Sequence, residues 1–293
     1  MIIRSNVPGN KLRLKISNRF GEQPINFERI TIAPCNYPNQ IDPDKLRSLT
    51  FNKGSTLQLK PGEERYSDPI QIANTKGLLA VSIYFPEYTE VSTWHFTFAQ
   101  SKFCSPRDQT PHAHLDDAEE LHSYYWISSL DVLCEENEIT VVAALGDSLT
   151  EGFNSSSNTD SRWTDYLQRQ IESTLPQSKI SIINAGITGN LLLTDGSKYN
   201  IPNAGASALN RLTWDILQLP QLDKVILMQG LNDIFGDAKD EEIINGNLQT
   251  VAHMHKNKIE IFIGTLLLLV NQITSMRKEK TFVRKLMNGF EII

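Results

Sequence analysis

The fold is decided by an apolar run that ends in a polar turn: Val141-Val142-Ala143-Ala144-Leu145, followed by Gly146-Asp147-Ser148-Leu149-Thr150-Glu151-Gly152. The apolar run predicts a buried strand. The glycine, aspartate and serine that follow it are typical of a turn that leads into a helix. Ser148 is therefore expected at the carboxyl end of a strand, where open α/β sheets bind their ligands.

Two more polar turns follow apolar runs further along the chain, and they are Ile187-Thr188-Gly189-Asn190 and Gly230-Leu231-Asn232-Asp233. Each motif alone is compatible with an ordinary turn, because short motifs often match by chance. The carboxyl ends of parallel strands meet at one edge of a sheet. The three turns in this order therefore predict a single site that contains Ser148, Gly189 and Asn232.

From residue 139 onward the sequence alternates between strand and helix patterns, which predicts an α/β fold with a parallel sheet between helices. The predicted strands are 140–145, 180–184, 224–228 and 259–264, and the predicted helices are 162–175, 206–217, 241–256 and 278–288. Ser161 is the predicted N-cap of the first helix, since serine is favoured at that position.

The first 135 residues carry a different pattern, of short strands separated by turns. Leu12, Leu14 and Ile16 alternate with basic residues, as in a strand with one buried face. Further strands are predicted at 27–32, 56–59, 78–85, 93–98 and 126–133, and a loop at 105–120. This pattern favours a β-sandwich of the jelly-roll type. The predicted domains are therefore 1–135 and 139–293, with an acidic linker at 134–138.

Composition excludes several classes of protein. Of the 293 residues, 40% are hydrophobic and 21% are charged, as in ordinary globular proteins. No apolar run approaches the ~20 residues that a membrane-spanning helix needs. The net charge of −6 argues against a nucleic-acid partner. The three cysteines show no metal-ligand spacing and the N-terminus shows no signal peptide, so a cytoplasmic location is expected. The oligomeric state is left open.

The three turns resemble the conserved blocks of the SGNH/GDSL hydrolases. Gly146-Asp147-Ser148-Leu149 is similar to the first block, Gly189 to the glycine of the second and Asn232 to the asparagine of the third. The stretches 14–21 and Ser92-Thr93-Trp94-His95 are similar to a subgroup with a β-sandwich ahead of the hydrolase domain. The resemblance implies a flavodoxin-like parallel sheet behind that sandwich.

The resemblance also implies a serine ester hydrolase. Ser148 would attack an acyl carbonyl and form an acyl-serine intermediate. The backbone N–H groups of Ser148 and Gly189 and the side-chain amide of Asn232 would bind the oxyanion. Asp147 and Asp233 are candidates for substrate binding, with turn stabilisation as the alternative role. The family chemistry needs neither a metal nor a nucleotide cofactor, and the expected substrates are acyl esters of small molecules or glycans.

One family block is missing from this sequence, since the chain contains no Asp-x-x-His. In the family that pair supplies the base and the residue that orients it. We therefore expect a hydrolase domain that is incomplete at its C-terminus and hydrolysis that is weak or absent. The alternative function is that of a catalytically inactive remnant or a glycan-binding protein that keeps the pocket without the base.

The histidines that the chain does contain offer no clear substitute. His112 and His114 lie in the predicted loop at 105–120, and His253 and His255 are two residues apart on a predicted helix, so that their side chains point to different faces. Both pairs are more typical of a solvated surface than of a metal or catalytic site.

Overall fold

A computed structural model of the chain describes residues 1–36, 40–72, 75–97, 99–134 and 139–264. No helix among these residues is both long and apolar enough to cross a membrane.

The chain packs into two compact units. The N-terminal unit contains Met1–Ile139 together with Asn154–Ser161, and the C-terminal unit contains Thr140–Phe153 and the chain from Arg162 onward. The domain ranges 1–135 and 139–293 stay a prediction, and the packing differs from them in one respect: the segment 154–161 groups with the N-terminal unit.

The N-terminal unit consists of antiparallel strands. In chain order they are β1 (Ile2–Ser5), β2 (Lys11–Ser17), β3 (Ile25–Phe27), β4 (Arg29–Asn36), β5 (Gln40–Ile41), β6 (Arg47–Ser48), β7 (Leu57–Leu59), β8 (Glu64–Tyr66), β9 (Ile70–Gln71), β10 (Gly77–Tyr84), β11 (Trp94–Phe96), β12 (Lys102–Cys104), β13 (Glu119–Leu121), β14 (Ser123–Tyr125) and β15 (Ile127–Leu133). A 3₁₀ helix at Pro43–Lys45 lies between β5 and β6.

Two of the antiparallel sheets enclose the core of this unit. One has the order β1-β10-β4, with β5 and β6 also paired to β4, and the other has the order β15-β2, with β8 and β9 also paired to β2. Leu12, Leu14 and Ile16 of β2 share one hydrophobic cluster with Ile32 of β4 and Val81 of β10. Two sheets around one apolar core form a β-sandwich.

The predicted strand at 27–32 is wrong as a single strand. β3 pairs with β7, whereas β4 pairs with β10, so the chain changes its pairing partner between Phe27 and Arg29. At that point the Glu28 N–H donates to the Tyr84 carbonyl, 3.1 Å away. The end of the predicted loop at 105–120 is also corrected, because β13 begins at Glu119.

The C-terminal unit alternates between strands and helices. Its strands are β16 (Thr140–Gly146), β17 (Ile180–Gly186), β18 (Leu222–Met228) and β19 (Glu260–Ile263), and its helices are α1 (Ser148–Glu151), α2 (Trp163–Thr174), α3 (Ala208–Arg211), α4 (Leu231–Phe235) and α5 (Asp240–Lys256). Two 3₁₀ turns, Gly196–Tyr199 and Pro202–Ala204, lie between β17 and α3.

All four described strands of this unit are parallel and follow the order β17-β16-β18-β19. This is the strand order of flavodoxin-like sheets, in which the second strand flanks the first. Ala143 and Leu145 of β16 pack with Ile243 and Met254 of α5 in one buried cluster. The predicted fold class is therefore confirmed: a parallel-sheet α/β domain preceded by a unit of antiparallel strands.

Two helix predictions need correction. The helix predicted at 206–217 is one α-helical turn, α3, that continues as a π-helical segment at Leu212–Ile216. The N-cap of α2 is Arg162 and not Ser161, and the Asp165 carboxylate accepts the Arg162 N–H at 3.0 Å. Ser161 instead donates its hydroxyl to the Ser156 carbonyl, because it belongs to the segment that groups with the N-terminal unit. The predicted helix at 278–288 lies outside the described residues.

The segment 154–161 is held inside the N-terminal unit by its polar side chains. The Asn158 carboxamide oxygen accepts the Ser101 N–H at 2.7 Å, and the Asn158 N–H donates to the Ala99 carbonyl at 3.0 Å. Arg4 and Asp160 form an ion pair at 2.5 Å. These bonds explain why the segment groups with the antiparallel strands although it follows α1 in the sequence.

Candidate functional site

The ends of three neighbouring strands lie at one level of the parallel sheet. Gly146, the last residue of β16, is in register with Gly186 of β17 on one side and with Met228 of β18 on the other. Each of the three polar turns predicted from the sequence begins at one of these residues or within two residues after it. The turns therefore leave the same edge of the sheet together.

The first turn places Ser148 at the start of a short helix. Asp147 is the N-cap of α1, and its carboxylate accepts the Leu149 N–H at 2.9 Å. Ser148 is the first residue of that helix and is partly exposed. The N–H groups of a first helical turn have no acceptor within the helix. The Ser148 hydroxyl and backbone N–H therefore belong to a turn whose geometry Asp147 holds.

A glycine allows this helix to pack closely against β17. A Cβ atom added at Gly186 would lie 2.7 Å from the Cα atom of Glu151 and closer still to its backbone nitrogen. Real Cβ atoms do not make contacts that short, so any side chain at this position would push α1 away from the strand. Glu151 is itself buried and accepts the Thr188 hydroxyl at 3.1 Å, which ties α1 to the second turn.

The second turn requires glycine for its backbone conformation. The Asn190 N–H donates to the Ile187 carbonyl at 3.0 Å, and Gly189 has φ +79°. This hydrogen bond and this angle at the third residue are those of a type II β-turn, in which glycine avoids the steric cost of a positive φ. The nearest atom to a Cβ at Gly189 would be the Cβ of Ala204 at 3.4 Å, so conformation rather than space selects the glycine.

Asn190 connects the second turn to the third. Its side chain is fully buried and donates to the carbonyls of Ala204 and Ala206, each at 2.7 Å. Its backbone carbonyl accepts the side-chain amide of Asn232 at 2.8 Å. The orientation of the Asn232 carboxamide is thus set by the residue that follows Gly189.

The two acidic candidates bind backbone groups. Asp233 is 2% exposed, and its carboxylate accepts the N–H groups of Leu192 at 2.7 Å and Leu193 at 3.0 Å. Asp147, also 2% exposed, caps α1. Burial raises the pKa of both carboxyl groups, and the charge of Asp233 raises the pKa of Asp147 further. These contacts favour the role of turn stabilisation for Asp147 and Asp233 over substrate binding.

The structure thus links Gly189 to Asn232 through Asn190, and Ser148 to the second turn through Glu151 and Thr188. The catalytic roles of Ser148, Gly189 and Asn232 stay a prediction. Sequence reasoning missed Asn190, although it stands next to a motif glycine. It also missed the buried side chains of Gln229 and Arg211. The sequence shows Gln229 only as a polar residue at the end of an apolar run, and Arg211 only as a charged residue on a predicted helix.

The histidines lie apart from the three turns in the sequence. The two pairs that the sequence predicted at the surface are exposed. His253 and His255 are exposed in the last turn of α5, and His112 and His114 are exposed in the N-terminal unit. Within the described ranges no group of three or more histidine, cysteine, aspartate or glutamate side chains is arranged to hold a metal ion. Cys35, Cys104 and Cys134 form no disulfide bond within the part of the chain that the structure describes.

Comparison with solved structures finds several esterases. AlinE4, an SGNH-hydrolase family esterase, is 22% identical over 45% of this chain and 61% of its own, with a TM-score of 0.36. A putative lipolytic protein of the G-D-S-L family from Desulfitobacterium hafniense DCB-2 is 17% identical over 51% and 69% of the two chains, with a TM-score of 0.38. The acetylxylan esterase Axe2 from Geobacillus stearothermophilus is 17% identical over 51% and 70%, with a TM-score of 0.40.

The chain thus matches less than two thirds of the length of AlinE4. No curated protein sequence matches the chain significantly. The sequence profile of the GDSL-like lipase/acylhydrolase family matches residues 144–286, a range that contains all three polar turns. The sheet order and the three turns at one sheet edge agree with this match of residues 144–286 to the GDSL-like lipase/acylhydrolase family.

Proposed function

We propose that the C-terminal unit hydrolyses acyl esters through an acyl-serine intermediate on Ser148. The observation that carries this proposal is the common register of Gly146, Gly186 and Met228, from which the three family turns leave the sheet. A nucleophile and hydrogen-bond donors on neighbouring turns are two of the elements that acyl transfer requires, and a base is the third.

Each residue has a role in this chemistry. The Ser148 oxygen attacks the acyl carbon, its proton passes to a base, and the alcohol leaves with that proton; water then cleaves the acyl-serine. The N–H groups of Ser148 and Gly189 stabilise the oxyanion. The Asn232 carboxamide nitrogen carries two hydrogens, of which one binds the Asn190 carbonyl, so the other is the third donor. One such donor contributes about 10²–10³ in rate.

We further propose an acyl ester of a small molecule or a glycan as the substrate. Support comes from exposed apolar side chains that flank the motif residues: Leu149 and Phe153 follow Ser148, and Phe235 ends the helix that carries Asn232. Tyr199 lies nearby, since its hydroxyl is 3.5 Å from the Cβ position of Gly236. Aromatic side chains offer broad apolar faces, and tyrosine adds a hydroxyl; such faces suit a sugar ring or an aryl alcohol.

The missing Asp-x-x-His dictates how the proposal is tested. Imidazole in solution can take the place of a histidine base, so it is titrated into an assay with p-nitrophenyl acetate. The wild-type chain should hydrolyse the ester weakly, and its rate in excess of Ser148→Ala should rise with imidazole. Ser148→Ala at each imidazole concentration corrects for hydrolysis by imidazole itself. Ser161→Ala is the matched control, because it removes a serine hydroxyl outside the motif and should keep the full rate.

Two outcomes decide the matter. The esterase is supported if the rate in excess of Ser148→Ala increases with imidazole and if Ser161→Ala shows the same excess. Equal rates for wild type and Ser148→Ala at every imidazole concentration contradict it.

The second candidate is a protein that binds acyl esters or glycans without cleaving them, and the exposed aromatic side chains of Phe153 and Phe235 favour it. The full chain would then bind acylated and deacylated glycans on an array. Phe235→Ala should weaken that binding, and the acylated glycans should stay intact.

A further inference from the structure

A buried arginine lies between the polar turns of the C-terminal unit. Arg211, the last residue of α3, is 1% exposed. Arginine is almost never fully buried unless its charge and its donors are matched. Burial lowers the pKa of Arg211, and the neighbouring Asp215 raises it. The guanidinium nevertheless stays charged. Arg211 is therefore a buried cation, and the partners of its hydrogen bonds indicate its role.

The guanidinium group binds the two turns at once. Its Nη2 donates to the Gly146 carbonyl and its Nε to the Asn190 side-chain oxygen, each at 3.1 Å. Gly146 immediately precedes Asp147 and Ser148, and Asn190 immediately follows Gly189. Because the guanidinium is planar and its donors have a fixed spacing, it sets the separation between the first and second turns.

The third turn is connected through the same asparagine. The Asn190 carbonyl accepts the Asn232 side-chain amide at 2.8 Å and the Gln229 amide at 3.0 Å. The Gln229 amide also donates to the Asn190 side-chain oxygen at 3.2 Å, beside the bond from Arg211. A shift of Asn190 would therefore move an acceptor that orients the Asn232 carboxamide.

The charge of the guanidinium is balanced elsewhere. Its Nη1 binds Asp215 at 3.0 Å, and the Asp215 side chain is 33% exposed. The ion pair thus lies toward solvent, whereas the two remaining bonds end on neutral oxygens of the turns. An ammonium group could form the ion pair but could not reach both turn oxygens, because it is a point charge without the fork.

From these contacts we propose that Arg211 is a positioning residue, which holds the turns of Ser148, Gly189 and Asn232 at the spacing that oxyanion binding needs. The inference rests on the proposed esterase function. Arg211 acts through Gly146 and Asn190 and has no assigned contact with the substrate.

The test compares Arg211→Lys with Arg169→Lys, the matched control on α2, where Arg169 is exposed and packs over the Tyr166 ring. In the imidazole-supplemented assay Arg211→Lys should lower kcat by about 10–10²-fold, as the loss or misplacement of an oxyanion donor does, with KM changed by less than about threefold. Arg169→Lys should leave both constants unchanged. A change in KM alone, or no change in kcat, would overturn the proposal.

Nuclear magnetic resonance of the full chain gives a second readout that does not need turnover. The backbone N–H of Gly189 and the side-chain amide of Asn232 should shift and exchange faster in Arg211→Lys, while the amides of α5 keep their wild-type positions. Unchanged signals from Gly189 and Asn232 in the folded variant contradict the proposal.

Should Arg211→Lys fail to fold, the wild-type chain decides. The Arg211 Nε–H should be protected from exchange by its bond to Asn190, in contrast to that of the exposed Arg169. Equal exchange of the two would overturn the inference. If the wild type shows no turnover that depends on Ser148, the proposed esterase function fails. The nuclear magnetic resonance signals of Gly189 and Asn232 then still decide whether Arg211 holds the turns.

Discussion

Gly186→Ala is the substitution whose effect follows most directly from the structure. The added methyl would lie 2.7 Å from the Cα of Glu151, about 0.7 Å short of the 3.4 Å at which ordinary contact begins. The obstructing atoms belong to the backbone of α1 and cannot rotate away. The helix that starts with Ser148 must therefore move from β17 by at least about 0.7 Å, or the strand must bend.

This displacement has a cost in stability and a larger one in rate. Overpacking of this kind destabilises by about 1–3 kcal/mol, and the lower entropy of the unfolded alanine chain offsets about 0.4–1 kcal/mol. The net loss of up to about 2.6 kcal/mol corresponds to a Tm lowered by up to about 10 °C. Because a misplacement of 1 Å can cost about 10²-fold in rate, the turnover that depends on Ser148 should fall by at least about tenfold.

Thermal unfolding followed by circular dichroism at 222 nm measures the first effect, since all five described α-helices lie in the C-terminal unit. Gly236→Ala is the control, because its Cβ would meet nothing nearer than the Asn232 carbonyl at 3.4 Å. That control should leave the free energy of unfolding unchanged or raise it by up to about 1 kcal/mol, because alanine lowers the entropy of the unfolded chain without strain here. If Gly186→Ala has the same Tm as the wild type and the same Ser148-dependent turnover, the close packing of α1 on β17 is refuted.

Other expected outcomes concern the buried carboxylates and the start of α2. Asp233→Ala leaves two backbone N–H groups without an acceptor and should destabilise by about 2–6 kcal/mol in urea unfolding, whereas a loss under 1 kcal/mol would contradict those bonds. Asp147→Asn keeps an N-cap acceptor but removes a charge whose pKa is raised in the folded state; ionised Asp147 therefore opposes folding at neutral pH, and that penalty disappears as the pH falls through the folded pKa. As the pH is lowered from 7, the Tm of the wild type should rise relative to the Tm of Asp147→Asn. A wild-type Tm that falls relative to that of the variant would be inconsistent with the raised pKa. Asp165→Ala should cost about 0.5–2 kcal/mol through the lost cap of α2, while Ser161→Ala should be nearly neutral; the reverse order in denaturant titrations would restore Ser161 as the cap.

The sequence by itself determined the elements and their class. The alternation of Leu12, Leu14 and Ile16 identified the strand β2, and the apolar run before Gly146 located β16 to within one residue. These predictions succeed because a strand that buries one face or both faces has a characteristic pattern of apolar residues. That pattern can be recognised without knowing which strand it pairs with. The family resemblance further identified Ser148, Gly189 and Asn232 as the residues to follow.

Only the tertiary structure decided which groups bind each other. The exchange of pairing partner between β3 and β4 and the bonds of Arg211 to Gly146 and Asn190 depend on atoms far apart in the sequence. Periodicity reports whether a side chain is buried, but it carries no information about which buried donor meets which acceptor. Those pairings arise when the sheet brings Gly146, Gly186 and Met228 into one register and the buried polar groups behind them must be satisfied.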